Sequence, residues 1–300
     1  MWIYLGIVSA VFLGLYEISK KHALQANAVL PVLFLGSVFG AAIMIPEMAG
    51  SLVWPAAMAK AGLYVGPLPW VAHLHILAKA AIVSVSWVLA YFALKHLPIS
   101  VVSPIRASEP IWTLAGAIFL FAERPSRMQW AGLIVIIGAY YAFSVIGSKE
   151  GISFVRNKWV WCILAAGVVG AVSSLYDKFL IHTLGYSPMA VQAWFSVYLV
   201  PLLGAVMAAF WRPGRKGWTA FEWRWSIVMI GAMLIVADFA YFRAIGCDGA
   251  LISLLAAIRR GSVLVAFFGG VAMFNDVNMR YKSAALAGVL GGVMMILFST

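Results

Sequence analysis

The sequence of 300 residues is 64% hydrophobic and only 10% charged, with a mean hydropathy of +0.98. A soluble domain is about 45–50% apolar and about 25% charged, and a water-soluble fold of this length has too little interior to hide so much apolar surface. These values exclude an ordinary soluble protein and make lipid the solvent for most of the chain. The net charge of +11 does not indicate a nucleic-acid-binding protein, because the basic residues stand singly or in pairs in short segments between apolar stretches.

Apolar stretches long enough to span a bilayer occur ten times along the chain, since a spanning helix needs roughly 20 mainly apolar residues. We number them spans 1 to 10. In the first half they cover about 2–20, 28–46, 74–95, 99–122 and 128–147, and in the second half about 159–181, 187–211, 226–245, 249–273 and 282–299. Span 1 has no basic leading segment and no small-residue cleavage site, so we interpret it as a transmembrane helix and not as a signal peptide. The sequence thus predicts an all-α membrane protein with ten transmembrane helices.

The segments between and within the spans add two expectations. A connection rich in Gly and Pro separates spans 2 and 3, and the polar stretch 148–158 separates two halves of five spans each. Gly36-x-x-x-Gly40 in span 2 and Gly288-x-x-x-Gly292 in span 10 have the spacing that lets helix backbones approach closely in lipid.

Short motifs recur in the two halves in the same order. Leu15-Tyr16-Glu17 of span 1 returns 160 positions later as Leu175-Tyr176-Asp177 of span 6. Ala90-Tyr91-Phe92 of span 3 returns 150 positions later as Ala240-Tyr241-Phe242 of span 8. Because five is an odd number, the second half enters the bilayer from the opposite side, and we predict two inverted five-helix repeats. Repeats of this kind place a substrate site near the midplane, at their interface.

The pattern of ten spans in two halves, with an acid at the end of spans 4 and 9 and a glycine-rich span 5, resembles the EamA-type transporters of the drug/metabolite transporter superfamily. The motifs that carry the resemblance are Ser103-Pro104-Ile105-Arg106, Glu109-Pro110, 119–123, Gln129-Trp130-Ala131-Gly132 with Gly138, Ile258-Arg259-Arg260, 267–270 and Asp276. In one departure from the family pattern, the stretch 32–40 of span 2 lacks the usual basic residue.

The resemblance implies two EamA-like repeats, 1–148 and 152–300, in a secondary carrier of the bacterial inner membrane. It also implies a central cavity lined by spans 1, 3, 4, 6, 8 and 9. It does not identify the substrate, because members of the superfamily carry amino acids, other metabolites, drugs, choline or nucleotide sugars.

Ionisable side chains lie inside several spans, where each costs about 3 kcal/mol or more unless it faces protein or water. Glu17 in span 1 and Asp177 in span 6 occupy matching places. Two interpretations stand for them: the acids reach water near the helix ends, or they bind protons or cations in turn. Arg106 and Glu109 in span 4 are one turn apart, so that neutralisation within the helix accounts for both.

Two adjacent arginines, Arg259 and Arg260, lie in the middle of span 9 with no acid one turn away. An arginine does not lose its proton, so another helix or a ligand must supply negative charge. By the repeat offset Glu109 has the place in span 4 that Arg259 has in span 9, and we expect a Glu109–Arg259 ion pair. Asp238 in span 8 is the candidate partner for the other arginine. If Arg260 lacks an acid, an anionic group of the substrate is its natural partner, since guanidinium binds carboxylate or phosphate bidentately.

Aromatic residues cluster near these charges, and most of them fit helix packing and interface belts. The tyrosines that recur in both halves suit the wall of a cavity for an amphipathic or cationic substrate. The predicted substrate-binding residues are Arg259, Arg260, Tyr16, Tyr176, Trp87, Tyr91, Tyr241, Glu109 and Arg106. The predicted residues for proton or ion coupling are Glu17, Asp177 and Asp238.

The favoured function is a secondary transporter that moves a small amphipathic metabolite by alternating access, with proton coupling left open. The alternatives are a flippase for a lipid-linked or phosphate-bearing headgroup, an intramembrane enzyme and a non-transporting membrane scaffold. The sequence has no metalloprotease or serine-hydrolase motif, so we expect neither catalytic residues nor a metal site nor a cofactor. The expected partners are a small-molecule substrate and the lipid bilayer but no nucleic acid, with a homodimer left open.

The two indications of membrane orientation disagree. The resemblance implies that both termini lie in the cytoplasm. The connections after odd-numbered spans hold about 12 Lys and Arg residues and those after even-numbered spans about 6, which favours termini outside by the positive-inside rule.

Overall fold

The computed structural model describes residues 1–96, 109–147, 157–211, 219–262 and 264–265, and at the C-terminal end residues 284, 287–292, 294–295 and 298. In chain order the helices of these ranges are α1 (Trp2–Leu24), α2 (Val29–Val53), α3 (Pro55–Ala61), α4 (Trp70–His96), α5 (Glu109–Phe121), α6 (Arg127–Gly147), α7 (Lys158–Lys178), α8 (Pro188–Phe210), α9 (Ser226–Ile245) and α10 (Ile252–Arg259). A π-helical turn, Phe179–Thr183, extends α7.

Six of these helices are long and apolar enough to cross a membrane: Trp2–Leu24, Val29–Val53, Trp70–Ala93, Lys158–Thr183, Pro188–Phe210 and Ser226–Ile245. They correspond to spans 1, 2, 3, 6, 7 and 8. Helix α6 corresponds to span 5, and α5 and α10 are the described parts of spans 4 and 9. Asp276 and eight of the 18 residues of span 10 lie outside the described residues. The chain is a multi-pass helical membrane protein, and the ten spans in inverted repeats stay a prediction.

The connection between spans 2 and 3 contains the short helix α3, which was not predicted from the sequence. Pro55 occupies its first turn, where the missing N–H of proline costs no hydrogen bond. Gly62 ends it in the left-handed conformation, at φ 71°. A connection rich in Gly and Pro can therefore contain a helix, but Pro55 and Gly62 limit this one to seven residues.

Helices of the first half pack mainly on helices of the second half, with α1 against α9, α4 against α7 and α2 against α8 and α9. The α2–α9 contact is backbone to backbone. A Cβ added at Gly231 of α9 would lie 2.6 Å from the backbone N of Gly40 and 2.7 Å from the backbone O of Gly36. The predicted role of the Gly36-x-x-x-Gly40 spacing in close packing is confirmed. This arrangement leaves the inner faces of α1, α4, α5, α7, α9 and α10 turned toward one another.

Candidate functional site

A cavity of about 160 Å³ lies inside the bundle, and residues of α1, α4, α5, α7, α9 and α10 line it. These helices correspond to spans 1, 3, 4, 6, 8 and 9, the six that the resemblance implies. One water needs roughly 10–15 Å³ of such space, so the cavity has room for on the order of ten waters or one small organic molecule. Apolar side chains cover part of the wall, including Phe195, which α8 contributes, and Phe242 of α9.

The described lining residues include four acids and four bases. The acids are Glu17, Glu109, Asp177 and Asp238, and the bases are Lys20, Lys79, Arg259 and Arg260. Each acid forms an ion pair with one base: Glu17 with Lys20 at 2.5 Å, Asp238 with Arg259 at 2.9 Å, Asp177 with Lys79, and Glu109 with Arg260. Pairing offsets the desolvation cost of each charge, and this part of the wall is formally neutral.

The prediction of a Glu109–Arg259 ion pair is wrong. Arg260 pairs with Glu109 of α5, and Arg259 pairs with Asp238 of α9. Neighbouring residues of an α-helix point about 100° apart, so the two arginines reach toward different helices, and a repeat offset does not decide which one faces α5. Because Arg260 has an acidic partner, the condition for assigning it to a substrate anion is not met. Arg106 lies outside the described residues.

The Glu109 carboxylate has room beside α7 because residue 170 is glycine. A Cβ at Gly170 would lie 3.0 Å from Glu109 Oε1 and 3.2 Å from its carboxyl carbon. Any larger residue at this position would push the carboxylate away from α7. Gly170 therefore positions the Glu109–Arg260 pair.

The two recurring tyrosine–acid motifs make different contacts in the two halves. In the first half the hydroxyls of Tyr16 and Tyr91 lie 3.1 Å apart in a hydrogen bond, and the Lys20 ammonium lies over both rings, at 4.8 and 5.4 Å. In the second half the Tyr241 hydroxyl donates to Asp177 Oδ2 at 3.2 Å, and the Arg259 guanidinium lies 4.0 Å from the centroid of the Tyr241 ring. Matching sequence motifs are thus in two distinct hydrogen-bonded states.

The structure places most of the sequence-predicted site residues on the cavity wall. Those that line it are Arg259, Arg260, Tyr16, Trp87, Tyr91, Tyr241, Glu109, Glu17, Asp177 and Asp238. Tyr176 is not among the lining residues, and its half-buried ring stacks on Phe179 at a centroid distance of 5.9 Å. Ser86, Ser173 and Ser174 also line the cavity, and they were not predicted from the sequence.

Lys79 is the cavity charge that sequence reasoning missed, because it was counted among the basic residues of the connections. It is the tenth residue of α4 and only 2% exposed. The signal that identifies it is a lone lysine with apolar residues on both sides within a span (Ala78-Lys79-Ala80). Lys178, counted in the same way, is also part of a helix and has a buried acidic partner.

That partner is Glu123, which follows α5 and is 6% exposed. Its carboxylate accepts hydrogen bonds from Lys178 Nζ at 2.7 Å, from the backbone N–H of Ile252 at 2.8 Å and from the Ser253 hydroxyl at 2.6 Å. The first N–H groups of a helix lack partners within the helix and carry a partial positive charge, so a carboxylate stabilises them. Glu123 thereby ties the end of α5 to the start of α10 and to α7.

Comparison with known proteins finds a matching family model for the first half of the chain and a similar fold for nearly all of it. Residues 1–145 match the model of the EamA-like transporter family, which is part of the drug/metabolite transporter superfamily. The chain is also similar in fold to a solved structure whose title reads only "Crystal structure of protein", with a TM-score of 0.73. The match covers 99% of this chain and 95% of that chain, at 16% sequence identity. No curated protein matches the sequence. Over residues 1–145, just under half of its length, this chain is similar to the EamA-like transporter family.

Proposed function

We propose that this protein is a secondary transporter that moves a small amphipathic metabolite across the bacterial inner membrane by alternating access around the charged cavity, with proton coupling through Glu17, Asp177 and Asp238. The observation that carries the proposal is the cavity itself, which holds four acid–base pairs among membrane-spanning helices. Charges at this depth usually mark a path for a substrate or an ion.

The chemistry of the wall favours an amphipathic solute. Aromatic and aliphatic side chains such as Trp87 and Phe242 provide apolar surface, while hydroxyls and ion pairs provide hydrogen-bonding groups. Arg259 Nε is buried and has no hydrogen-bond partner among the described residues. A polar group of a bound solute would satisfy this donor, which otherwise costs about 1–3 kcal/mol or more.

Alternating access is supported by the different contacts of the recurring motifs. If two like-folded halves exchange conformations, the contacts of one half pass to the other, and the site opens to the opposite side of the membrane. Carriers with inverted repeats rock one half against the other around a fixed midplane site.

Proton coupling is supported by the pairing of every described cavity acid with a base. When one of these carboxylates takes up a proton, its base is left without a counter-charge in a medium of low dielectric, which is strongly unfavourable. Protonation of Asp177 or Asp238 must then be accompanied by a rearrangement of the wall or by a ligand.

The flippase alternative has less support than transport of a free solute. It requires arginines that hold a phosphate, whereas Arg259 and Arg260 are each paired with a carboxylate. A fluorescent-phospholipid scrambling assay in vesicles separates the two functions.

The test of the proposed function is transport by purified protein in sealed vesicles that contain a pH-sensitive dye. A panel of isotope-labelled amino acids, amines and organic acids is offered outside, uptake is read by mass spectrometry, and proton flux is read from the dye. We expect one chemical group of solutes to accumulate under a pH gradient, and Asp238→Asn to lose the accumulation. Lipid scrambling without solute uptake would contradict the carrier proposal and support the flippase alternative.

A further inference from the structure

Lys79 lies at a point where four helices converge. Its ammonium group pairs with Asp177 of α7 and lies 4.2 Å from the ring centroid of Phe195 on α8 and 5.1 Å from that of Phe242 on α9. The side chains of Lys79 and Asp177 are 3% and 4% exposed. The Tyr241 hydroxyl donates to the other carboxylate oxygen of Asp177 and so fixes its orientation.

The groups around the Lys79 ammonium are of the kind that form binding sites for cationic ligands in proteins. A carboxylate supplies the counter-charge, and aromatic faces attract the cation through the ring quadrupole, an interaction worth about 2 kcal/mol or more where water is excluded. The four groups come from three helices, and none belongs to α4, the helix of Lys79. The groups that surround the ammonium therefore do not include any part of α4. The Lys79 side chain extends from α4 into the space between them.

We propose that Asp177, Phe195, Phe242 and Tyr241 form an ammonium-binding site, that Lys79 is its tethered occupant in the substrate-free carrier, and that the ammonium group of a primary-amine solute replaces Lys79 during transport. The proposal rests on the proposed transport function and names the substrate class for the same cavity.

The physical reason for a tethered occupant is the return of the empty carrier. An empty site would leave the buried Asp177 charge without compensation, and a lone buried charge costs several kcal/mol. With Lys79 in place the described wall is formally neutral, so the empty cavity can close.

When an amine solute takes the site, Lys79 needs another counter-charge. Asp238 of α9 supplies it, since it lines the same cavity as Lys79. Asp238 then exchanges part of its interaction with Arg259 for one with Lys79. The bound ammonium adds one positive charge to the cavity. The net charge of the cavity stays at zero if the solute also carries an anionic group or if a proton leaves the cavity.

The rival explanation is that the Lys79–Asp177 pair only holds α4 against α7. Replacement by a free amine separates the two explanations. Lys79→Ala removes the three outer carbons and the ammonium group, and propylammonium has these same atoms. We expect purified Lys79→Ala in lipid nanodiscs to bind propylammonium at least tenfold more tightly than the wild type, read by calorimetry and by a rise in the thermal unfolding midpoint. 1-Propanol and sodium chloride at the same concentration serve as controls for shape and ionic strength.

The variant Lys79→Ala/Asp177→Asn should lose this binding, because the counter-charge is gone. Should Lys79→Ala not fold alone, it is purified with and without propylammonium, and recovery only with the amine supports the site. Failure of propylammonium to bind or to rescue the folding of Lys79→Ala contradicts the proposal.

A charge-free variant separates this proposal from the proposed function. Lys79→Met/Asp177→Leu keeps the packing, since apolar replacements of a buried pair are often neutral or stabilising. If the wild type transports a solute and this double variant transports it equally well, the ammonium site is wrong and the carrier stands. If Lys79→Ala binds propylammonium but the wild type transports nothing in the panel, the site stands and the carrier is wrong.

Discussion

Glu123 accepts a hydrogen bond from the backbone N–H of Ile252, a residue 129 positions further along the chain, at 2.8 Å. The bond joins the end of the described part of span 4 to the start of span 9, the two segments that the repeat pairs with each other. The same two helices meet again at Glu109 and Arg260. Helix α10 is thus held to α5 at two points, one at its N-terminus and one at the cavity wall.

Removing the carboxylate at residue 123 should destabilise the protein strongly. Glu123→Ala leaves Lys178 without its acidic partner and the start of α10 without its acceptor, and breaking a buried pair by removing one partner costs about 3–5 kcal/mol. The measurement is the thermal unfolding midpoint in nanodiscs.

The matched control for this variant is Glu222→Ala. Glu222 pairs with Arg224 at 3.2 Å, but its side chain is 64% exposed, so its loss should cost about 0–1 kcal/mol. Equal midpoints for Glu123→Ala and Glu222→Ala would show that Glu123 does not hold the bundle together.

Adding a methyl group at residue 170 should reduce transport without unfolding the protein. In Gly170→Ala the new Cβ meets the Glu109 carboxylate at 3.0 Å, and the carboxylate must shift away from α7, which changes the geometry of its pair with Arg260. Solute uptake in vesicles is the measurement, with the unfolding midpoint recorded beside it.

Gly167→Ala is the control for that variant, because Gly167 lies one turn away on the same cavity wall and a Cβ there has nothing within 4 Å. Alanine is about 1 kcal/mol more favourable than glycine in a helix, so this variant should transport normally and be slightly more stable. The assigned role of Gly170 fails if both variants behave alike.

Truncating Arg260 should stop transport, since it leaves the Glu109 carboxylate without its base at the cavity wall. We expect Arg260→Ala to lose uptake and Arg260→Lys to keep part of it, because lysine retains the charge but not the planar geometry of guanidinium. Uptake assays on the two variants, at matched amounts of folded protein, test this. Wild-type uptake by Arg260→Ala would remove the arginine from the transport site.

The contact of α2 with α9 should tolerate no side chain at residue 231. Gly231→Ala places a Cβ 2.6 Å from a backbone N of α2, and since backbone atoms cannot move aside as a side chain does, the helices must separate. We expect a loss of stability of about 1–3 kcal/mol, the usual cost of overpacking, seen as a lower unfolding midpoint. Gly138→Ala on α6 is the control, because a Cβ there meets nothing within 4 Å, and an equal loss in both would contradict the close approach.

Much of the site was predictable because a lone charged side chain in an apolar span must face protein or a water-filled cavity. Glu17, Asp177, Asp238 and the two arginines of span 9 were predicted on this ground, and all of them line the cavity. Lys79 obeys the same rule and was missed only because it was assigned to a connection. The exception among the tyrosines is Tyr176, which turns to Phe179 although its repeat partner Tyr16 lines the cavity.

By itself the sequence determined the multi-pass helical fold and the approximate positions of its long helices, as span 8 at 226–245 and α9 at Ser226–Ile245 illustrate. The reason is that bilayer thickness sets the length of an apolar run, and that lipid leaves a spanning backbone no partner but its own helix. Only the tertiary structure decided which charges pair, which glycines touch backbone and where Lys79 lies. Those outcomes depend on the rotation and separation of neighbouring helices to within a few ångströms, which the hydropathy of a sequence does not record.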